Sequence, residues 1–207
     1  MGKPYFLESL QRIWKMILKK AFHYSMEKLF VFLFFIVLSH PNYALPTANE
    51  YDIKATFLYK LKHFIIWPQL NFDTSSQFVI CILGQDPFHE KLDLVIKAQP
   101  ATENLVKILR ITEIEQAQEC QILFISESKQ LWLDSILKWL DRKPILSVSD
   151  MPDFASHGGM IEFYKEEERI RLAINPQNVN KATLKVSAHL LRVSKIVESN
   201  THKENNS

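Results

Sequence analysis

Four short apolar runs constrain the fold of this 207-residue chain more than any other feature. They cover residues 77–83, 105–111, 121–125 and 145–148, and β-branched and leucine side chains dominate them. Continuous apolar runs of this length are typical of strands that are covered on both faces. Stretches of helical periodicity separate them, at residues 88–97 and 126–140. The alternation predicts an α/β fold: an open, mainly parallel sheet with helices on both faces.

The elements at the two ends of this region follow from periodicity and turn signals. An opening helix is predicted from a capping-box spacing at Thr47 and Glu50 and from an apolar face that ends before Pro68: Ile53, Phe57, Leu61 and Phe64. A closing helix is predicted from Val186, Leu190, Val193 and Val197. Residues 160–164 and 170–174 flank a charged run and predict a β-hairpin near the C-terminal end.

The N-terminal segment has the pattern of an export signal. Leu29 to Leu38 is an unbroken apolar run, too short to span a bilayer, with Lys28 before it and a polar stretch ending at Ala44. We therefore expect cleavage near Ala44, with Ala48 as a second candidate site. The residues before Met26 are long for a signal peptide, so Met26 is a candidate start.

An alternative interpretation keeps the leader on the protein. Phe6, Leu10, Ile13 and Ile17, with the lysines around them, form the pattern of a basic amphipathic helix on a membrane surface. With the export signal preferred, the predicted organisation is a leader and signal peptide at 1–44, a single α/β domain at 45–199 and a polar tail at 200–207.

Charge and motif content exclude several function classes. The first 44 residues carry a net charge of +4, which leaves −2 for the rest of a chain whose total is +2. The predicted domain therefore lacks the basic surface that nucleic-acid binding requires. The sequence contains neither a glycine-rich phosphate loop after a strand nor the cysteine and histidine spacing of a zinc site, so no cofactor and no metal are expected.

The loop after the fourth apolar run holds the candidate site residues. Gly158 and Gly159 end this loop, and Asp150 and Phe154 lie earlier in it. In an open α/β sheet a ligand or partner is expected at such a position, so these four residues are the predicted contacts. The alternative is a turn that requires glycine for its backbone angles.

Catalysis finds little support in the same loop. Ser156 and His157 are adjacent, and adjacent side chains seldom face each other as a nucleophile and base do. Asp150, Asp153 and His157 are the remaining candidates for an active site, and we predict that the protein is not an enzyme.

One cysteine lies in a predicted strand and the other directly before a strand that is its neighbour in a sheet of 2-1-3 order. Cys81 is in the first apolar run and Cys120 directly precedes the third. A disulfide is therefore geometrically allowed and is favoured in an oxidising compartment, and two buried reduced thiols are the alternative.

Five sequence blocks in order resemble the YfiR/HmsC-like family of periplasmic proteins. They are EYDIKATFLYKLKHFIIWP, ICILGQDPF, ECQILFIS, ILSVSDMPDFASHGGMIEFYKEEERIRLAIN and LKVSAHLLRVSKIV, and together they cover Glu50 to Val197. The resemblance implies a periplasmic repressor that binds the sensor domain of an inner-membrane diguanylate cyclase, lowers cyclic di-GMP and limits biofilm formation. It also implies an α/β domain able to form a homodimer.

The resemblance further implies that Cys81 and Cys120 lie where a family disulfide lies. A second cysteine pair found in some members is missing, because residues 147–158 contain no cysteine. Large side chains that reach the surface would form the partner contact, and the candidates are Trp67, Phe88, Trp132, Trp139 and Phe154. The alternative function is a periplasmic small-molecule-binding protein without a cyclase partner.

Overall fold

The computed structural model describes residues 48–67, 77–100 and 105–199. These residues belong to the second of two units, Pro46–Ser207. The predictions for the leader, for the cap at Thr47 and for the tail from residue 200 lie outside the described residues. Within them, no helix is both long enough and apolar enough to cross a bilayer.

Helices and strands alternate along the chain, as the apolar runs predicted. The helices are α1 (Ala48–Phe64), α2 (Lys91–Lys97), α3 (Leu133–Leu140), α4 (Pro176–Lys181) and α5 (Ala188–Val193), and 3₁₀ helices cover Ile114–Glu119 and Glu127–Trp132. The strands are β1 (Ile65–Ile66), β2 (Phe78–Leu83), β3 (Val106–Ile111), β4 (Ile122–Ile125), β5 (Leu146–Ser149), β6 (Ile161–Glu166), β7 (Arg169–Ile174), β8 (Lys185–Val186) and β9 (Lys195–Ile196).

Seven strands of the described region form one sheet in the order β3-β2-β4-β5-β6-β7-β9. The strands from β3 to β6 in this order are parallel, and β6 and β7 form the antiparallel hairpin that the sequence predicted. β1 and β8 pair separately as a short antiparallel ribbon. The predicted α/β fold is therefore confirmed, as is the placement of β2 between β3 and β4.

The core has two layers, one on each face of the sheet. Every residue of β2 is buried, and alternate side chains enter opposite layers. Ile80 and Ile82 pack in the layer that contains Leu58 of α1, whereas Cys81 packs in the layer that contains Ile136 of α3. This alternation explains why the strand is apolar without interruption, and it confirms helices on both faces.

The predicted closing helix is wrong in extent. Val186 pairs with Ile65 in the ribbon and Ile196 pairs with Ile174 in the sheet, so only the short α5 lies between two strands. The side chain of Ser187 caps α5 by accepting a hydrogen bond from the Leu190 amide. Val193 remains 61% exposed. Backbone pairing at both ends therefore overrides the helical periodicity.

The opening helix is confirmed, but its buried face differs from the predicted one. Ile53 is exposed, and its neighbour Lys54 is buried together with Ala55, Leu58 and Leu61. The buried face of α1 includes Lys54 because the ammonium of Lys54 pairs with Asp150 at the end of the sheet.

Candidate functional site

A polar cleft of about 520 Å³ opens at the carboxyl ends of β2, β4 and β5. The chain leaves β2 towards β3 on one side and leaves β4 towards β5 on the other, so the cleft lies at a topological switch point. Open α/β sheets bind their ligands at such points. The loops after these strands line the cleft with Gln85, Asp86, Ser126, Glu127 and Asp150, and Tyr51 of α1 covers one side.

One wall of the cleft is an ion-pair network that joins α1 to the end of β5. Lys54 Nζ lies 2.7 Å from Asp150 Oδ2 and 2.6 Å from Glu50 Oε1. The Tyr51 hydroxyl donates to the same Asp150 oxygen at 3.1 Å. Burial, and then the charge of Asp150, raise the pKa of Tyr51 well above its ordinary value. Tyr51 therefore stays a protonated hydrogen-bond donor at physiological pH.

A second network holds the loop after β2. Arg110 Nε donates to Asp86 Oδ2 at 2.7 Å, and Arg110 Nη2 donates to Asp93 Oδ2 at 2.6 Å. The hydrogen bond to Asp93 is the main reason that the pKa of Arg110 is raised. The other Asp86 oxygen accepts from the Phe88 amide at 2.7 Å. Asp86 is thus fully engaged in fixing its own loop.

Two serines tie the loops after β2 and β4 together. The Gln85 amide donates to Ser128 Oγ at 2.9 Å, and the hydroxyls of Ser126 and Ser128 lie 3.2 Å apart. Gly84 has φ of 94°, and a Cβ there would stand 2.5 Å from Ser128 Oγ. The close approach of the two loops therefore requires glycine at this position.

The structure separates the predicted contact residues. Asp150 lines the cleft, whereas Phe154 is fully buried in the core layer next to α3. A Cβ on Gly159 would overlap the Phe154 ring, and Gly158 has φ of 115°, so both glycines have conformational or packing reasons for their identity. The ligand or partner role of Asp150, Phe154, Gly158 and Gly159 stays a prediction.

Ser156 and His157 both contact the backbone carbonyl of Asp153. Ser156 Oγ donates to the Asp153 carbonyl at 3.0 Å, and His157 Nδ1 lies 3.0 Å from the same oxygen. Both side chains thus bind the backbone of their own turn.

The disulfide between Cys81 and Cys120 is confirmed. The two Cα atoms lie 5.8 Å apart, and the bridge joins β2 to the residue that precedes β4. Both cysteines are buried in the layer next to α3. The bridge fixes the same strand pair whose carboxyl ends form the cleft.

Sequence reasoning missed most of the cleft. The available signal was Lys54, a lysine four residues after Glu50 and next to the apolar face of a buried helix, because a buried lysine requires a carboxylate partner. Within the described residues, no group of three or more histidine, cysteine or acidic side chains is placed to hold a metal ion.

One apolar surface lies beside the cleft. Leu131 and Trp132 follow Gln130, which lines the cleft, and they are 91% and 55% exposed. Of the large side chains considered as partner contacts, Trp67, Phe88 and Phe154 are buried. Trp139 is partly buried, so Trp132 is the most exposed of the five.

A model of the YfiR/HmsC-like family matches residues 51–195, which include most of α1, both core layers and the cleft. A search of curated proteins gave no significant match.

Proposed function

The chain belongs to the YfiR/HmsC-like family, and from this membership we propose that it is a periplasmic regulator. It binds the sensor domain of an inner-membrane diguanylate cyclase and represses it, which lowers cyclic di-GMP and biofilm formation. Residues 1–44 direct export. The disulfide between Cys81 and Cys120 supports this location, because such bridges form and persist in oxidising compartments.

The physical mechanism is a shift between two states of the cyclase. A repressor that binds the inactive sensor more tightly than the active one shifts the population by that difference in affinity. Strong silencing needs a difference of about 5 kcal/mol. Binding alone supplies it, so the proposal requires no catalytic residue.

We place part of the contact at the Leu131–Trp132 surface. Large apolar and aromatic side chains that are exposed in a free protein are the usual anchors of protein interfaces, and tryptophan is enriched among them. Lys129 Nζ lies 5.5 Å from the centre of the Trp132 ring, and both residues line a second pocket together with Thr112. A partner seated on this surface would border the cleft as well.

The test is cellular cyclic di-GMP in the source bacterium with the gene deleted and with the full chain restored. A rise on deletion that the restored chain reverses supports repression. Unchanged levels in both strains would refute it. A restored chain that lacks its export signal should not lower cyclic di-GMP, because the sensor domain faces the periplasm.

A second candidate function is a periplasmic small-molecule-binding protein with no cyclase partner. The observation that favours it is the cleft at the switch point, whose volume of about 520 Å³ is typical of small-molecule sites. Ligand-dependent thermal stabilisation together with unchanged cyclic di-GMP on deletion would support this function over the first.

A further inference from the structure

We infer that the polar cleft binds a small organic cation, a molecule with one or more ammonium groups. The inference concerns the ligand of the cleft and holds whether or not the protein represses a cyclase. The cavity lies where two neighbouring parallel strands send the chain in opposite directions. This is the position at which the architecture places ligands.

Two cations beside the cleft are paired with carboxylates, and a third, Lys129, lines a separate pocket and donates to the Thr112 carbonyl. Lys54 lies between Glu50 and Asp150, with both carboxylates within 2.7 Å of its Nζ. Arg110 is shared in the same way between Asp86 and Asp93. Lys54 and Arg110 therefore each face two carboxylates, so neither retains charge for an anionic ligand. In these two networks and Glu127, the carboxylates outnumber Lys54 and Arg110 by three, and His89 also lines the cleft.

Two carboxylates in the lining keep oxygens for a ligand. Asp150 uses Oδ2 for both Lys54 and Tyr51, and within the described residues its Oδ1 has no hydrogen-bond partner. The Asp150 side chain is nevertheless only 10% exposed. Glu127 also lines the cleft, and its carboxylate has no partner in this part of the chain. The charges of Asp150 and Glu127 both contribute to the raised pKa of Tyr51, so both carboxylates act on the same part of the cleft.

The remaining lining suits additional N–H and O–H groups of a ligand. The side chains of Gln85 and Gln130 line the cleft and offer amide oxygens. The hydroxyls of Ser126 and Ser128 share one hydrogen bond between them, so one of the two protons is left for a ligand acceptor. Amines with several hydrogen-bonding groups, such as polyamines and amino sugars, match this combination of negative potential and polar lining.

The test is isothermal titration of the oxidised protein, purified from cells that express the full chain, with spermidine and putrescine as probes. MgCl₂ at matched ionic strength and inorganic phosphate are the comparison titrants. We expect saturable binding of a polyamine and none of phosphate. Equal heats for spermidine and MgCl₂ would show only non-specific attraction to acidic groups and would overturn the inference, as would binding of phosphate alone.

The site is tested by Glu127→Gln, which removes one charge without disturbing the buried pair of Lys54 and Asp150. The Kd for spermidine should rise about threefold to fivefold, the effect of one partly exposed ion pair. The matched control is Glu167→Gln, an exposed change of the same kind in the hairpin turn, which should leave the Kd unchanged. Equal effects of the two variants would refute the placement in the cleft. Cyclic di-GMP is not read in this experiment, so its failure is separate from failure of the repressor function.

Discussion

Lys54 and Asp150 lie 96 residues apart in the sequence, yet Lys54 Nζ donates a 2.7 Å hydrogen bond to Asp150 Oδ2. The bond connects the first described helix to the end of β5 at the wall of the cleft. Only 6% of the lysine side chain and 10% of the aspartate side chain are exposed. A buried charge of either sign is costly when its partner is removed, so loss of either residue should strongly lower the free energy of unfolding.

Lys54→Met tests this pair. The methionine fills the volume of the lysine stem but leaves Asp150 nearly buried beside Glu50 with no cation between them. We expect the free energy of unfolding, measured by urea denaturation at pH 7, to fall by about 3 kcal/mol. Lys60→Met, on an exposed position of the same helix, is the control and should change it by less than about 0.5 kcal/mol. Equal urea midpoints for the two variants would contradict the expectation.

Glu162 should make stability depend on pH. Burial is the main cause that raises the pKa of this carboxyl above 4.5 in the folded protein. The folded state therefore holds the proton more tightly than the unfolded state. Below about pH 4 the Glu162 carboxyl is protonated in both the folded and the unfolded state, so it does not change the free energy of unfolding. As the pH rises from 4.5 through the raised pKa, the free energy of unfolding falls.

Glu162→Gln removes this dependence while it keeps an oxygen for the Ala155 amide, which now donates to Glu162 Oε2 at 3.2 Å. We expect the variant to gain stability relative to the wild type between pH 4 and pH 7, measured by urea denaturation at both values. Glu167→Gln, at an exposed position in the hairpin turn, should show no such gain. A difference between Glu162→Gln and the wild type that is the same at pH 4 and pH 7 would refute the assignment.

The disulfide should contribute strongly to stability. It closes a loop with a sequence separation of 39 residues. Replacing both Cys81 and Cys120 by alanine should lower the free energy of unfolding by about 4 kcal/mol in the chain-entropy model. Thermal unfolding of the wild type with and without dithiothreitol gives the independent check, because the double variant should be insensitive to the reductant. A wild type that melts at the same temperature in both conditions would contradict the prediction.

The sheet was predictable from the sequence because its signal is local. The run at residues 78–83 is apolar at every position, since β2 has a core layer on each face. The closing helix failed for the opposite reason. The periodicity of Val186 and Val193 is helical, but the pairing of Val186 with Ile65 depends on a residue more than 100 positions away.

Of the cleft residues, the sequence identified Asp150. The other groups of the cleft come from loops after two further strands and from α1, and no sequence spacing relates Tyr51, Ser126 and Asp150. Their meeting depends on strand order. The glycine pair was more conspicuous in the sequence, yet Gly159 packs against the buried ring of Phe154 rather than lining the cleft.

A substitution at the exposed Trp132 tests repression of the cyclase with little effect on folding. Trp132→Ala removes a side chain that is 55% exposed, so its effect on the free energy of unfolding should be under about 1 kcal/mol. If the Leu131–Trp132 surface anchors the cyclase, the variant should raise cellular cyclic di-GMP towards the level of the deletion strain, since truncation of an interface anchor typically costs about 2 kcal/mol or more.

The matched control is Leu94→Ala, an equally exposed apolar residue of α2 that lies away from this surface. It should restore low cyclic di-GMP as well as the wild type does, at equal protein abundance measured by immunoblotting. If Trp132→Ala and Leu94→Ala repress equally, the contact lies elsewhere on the protein. If both variants fail to repress at normal abundance, the partner contacts a larger surface than the Leu131–Trp132 pair.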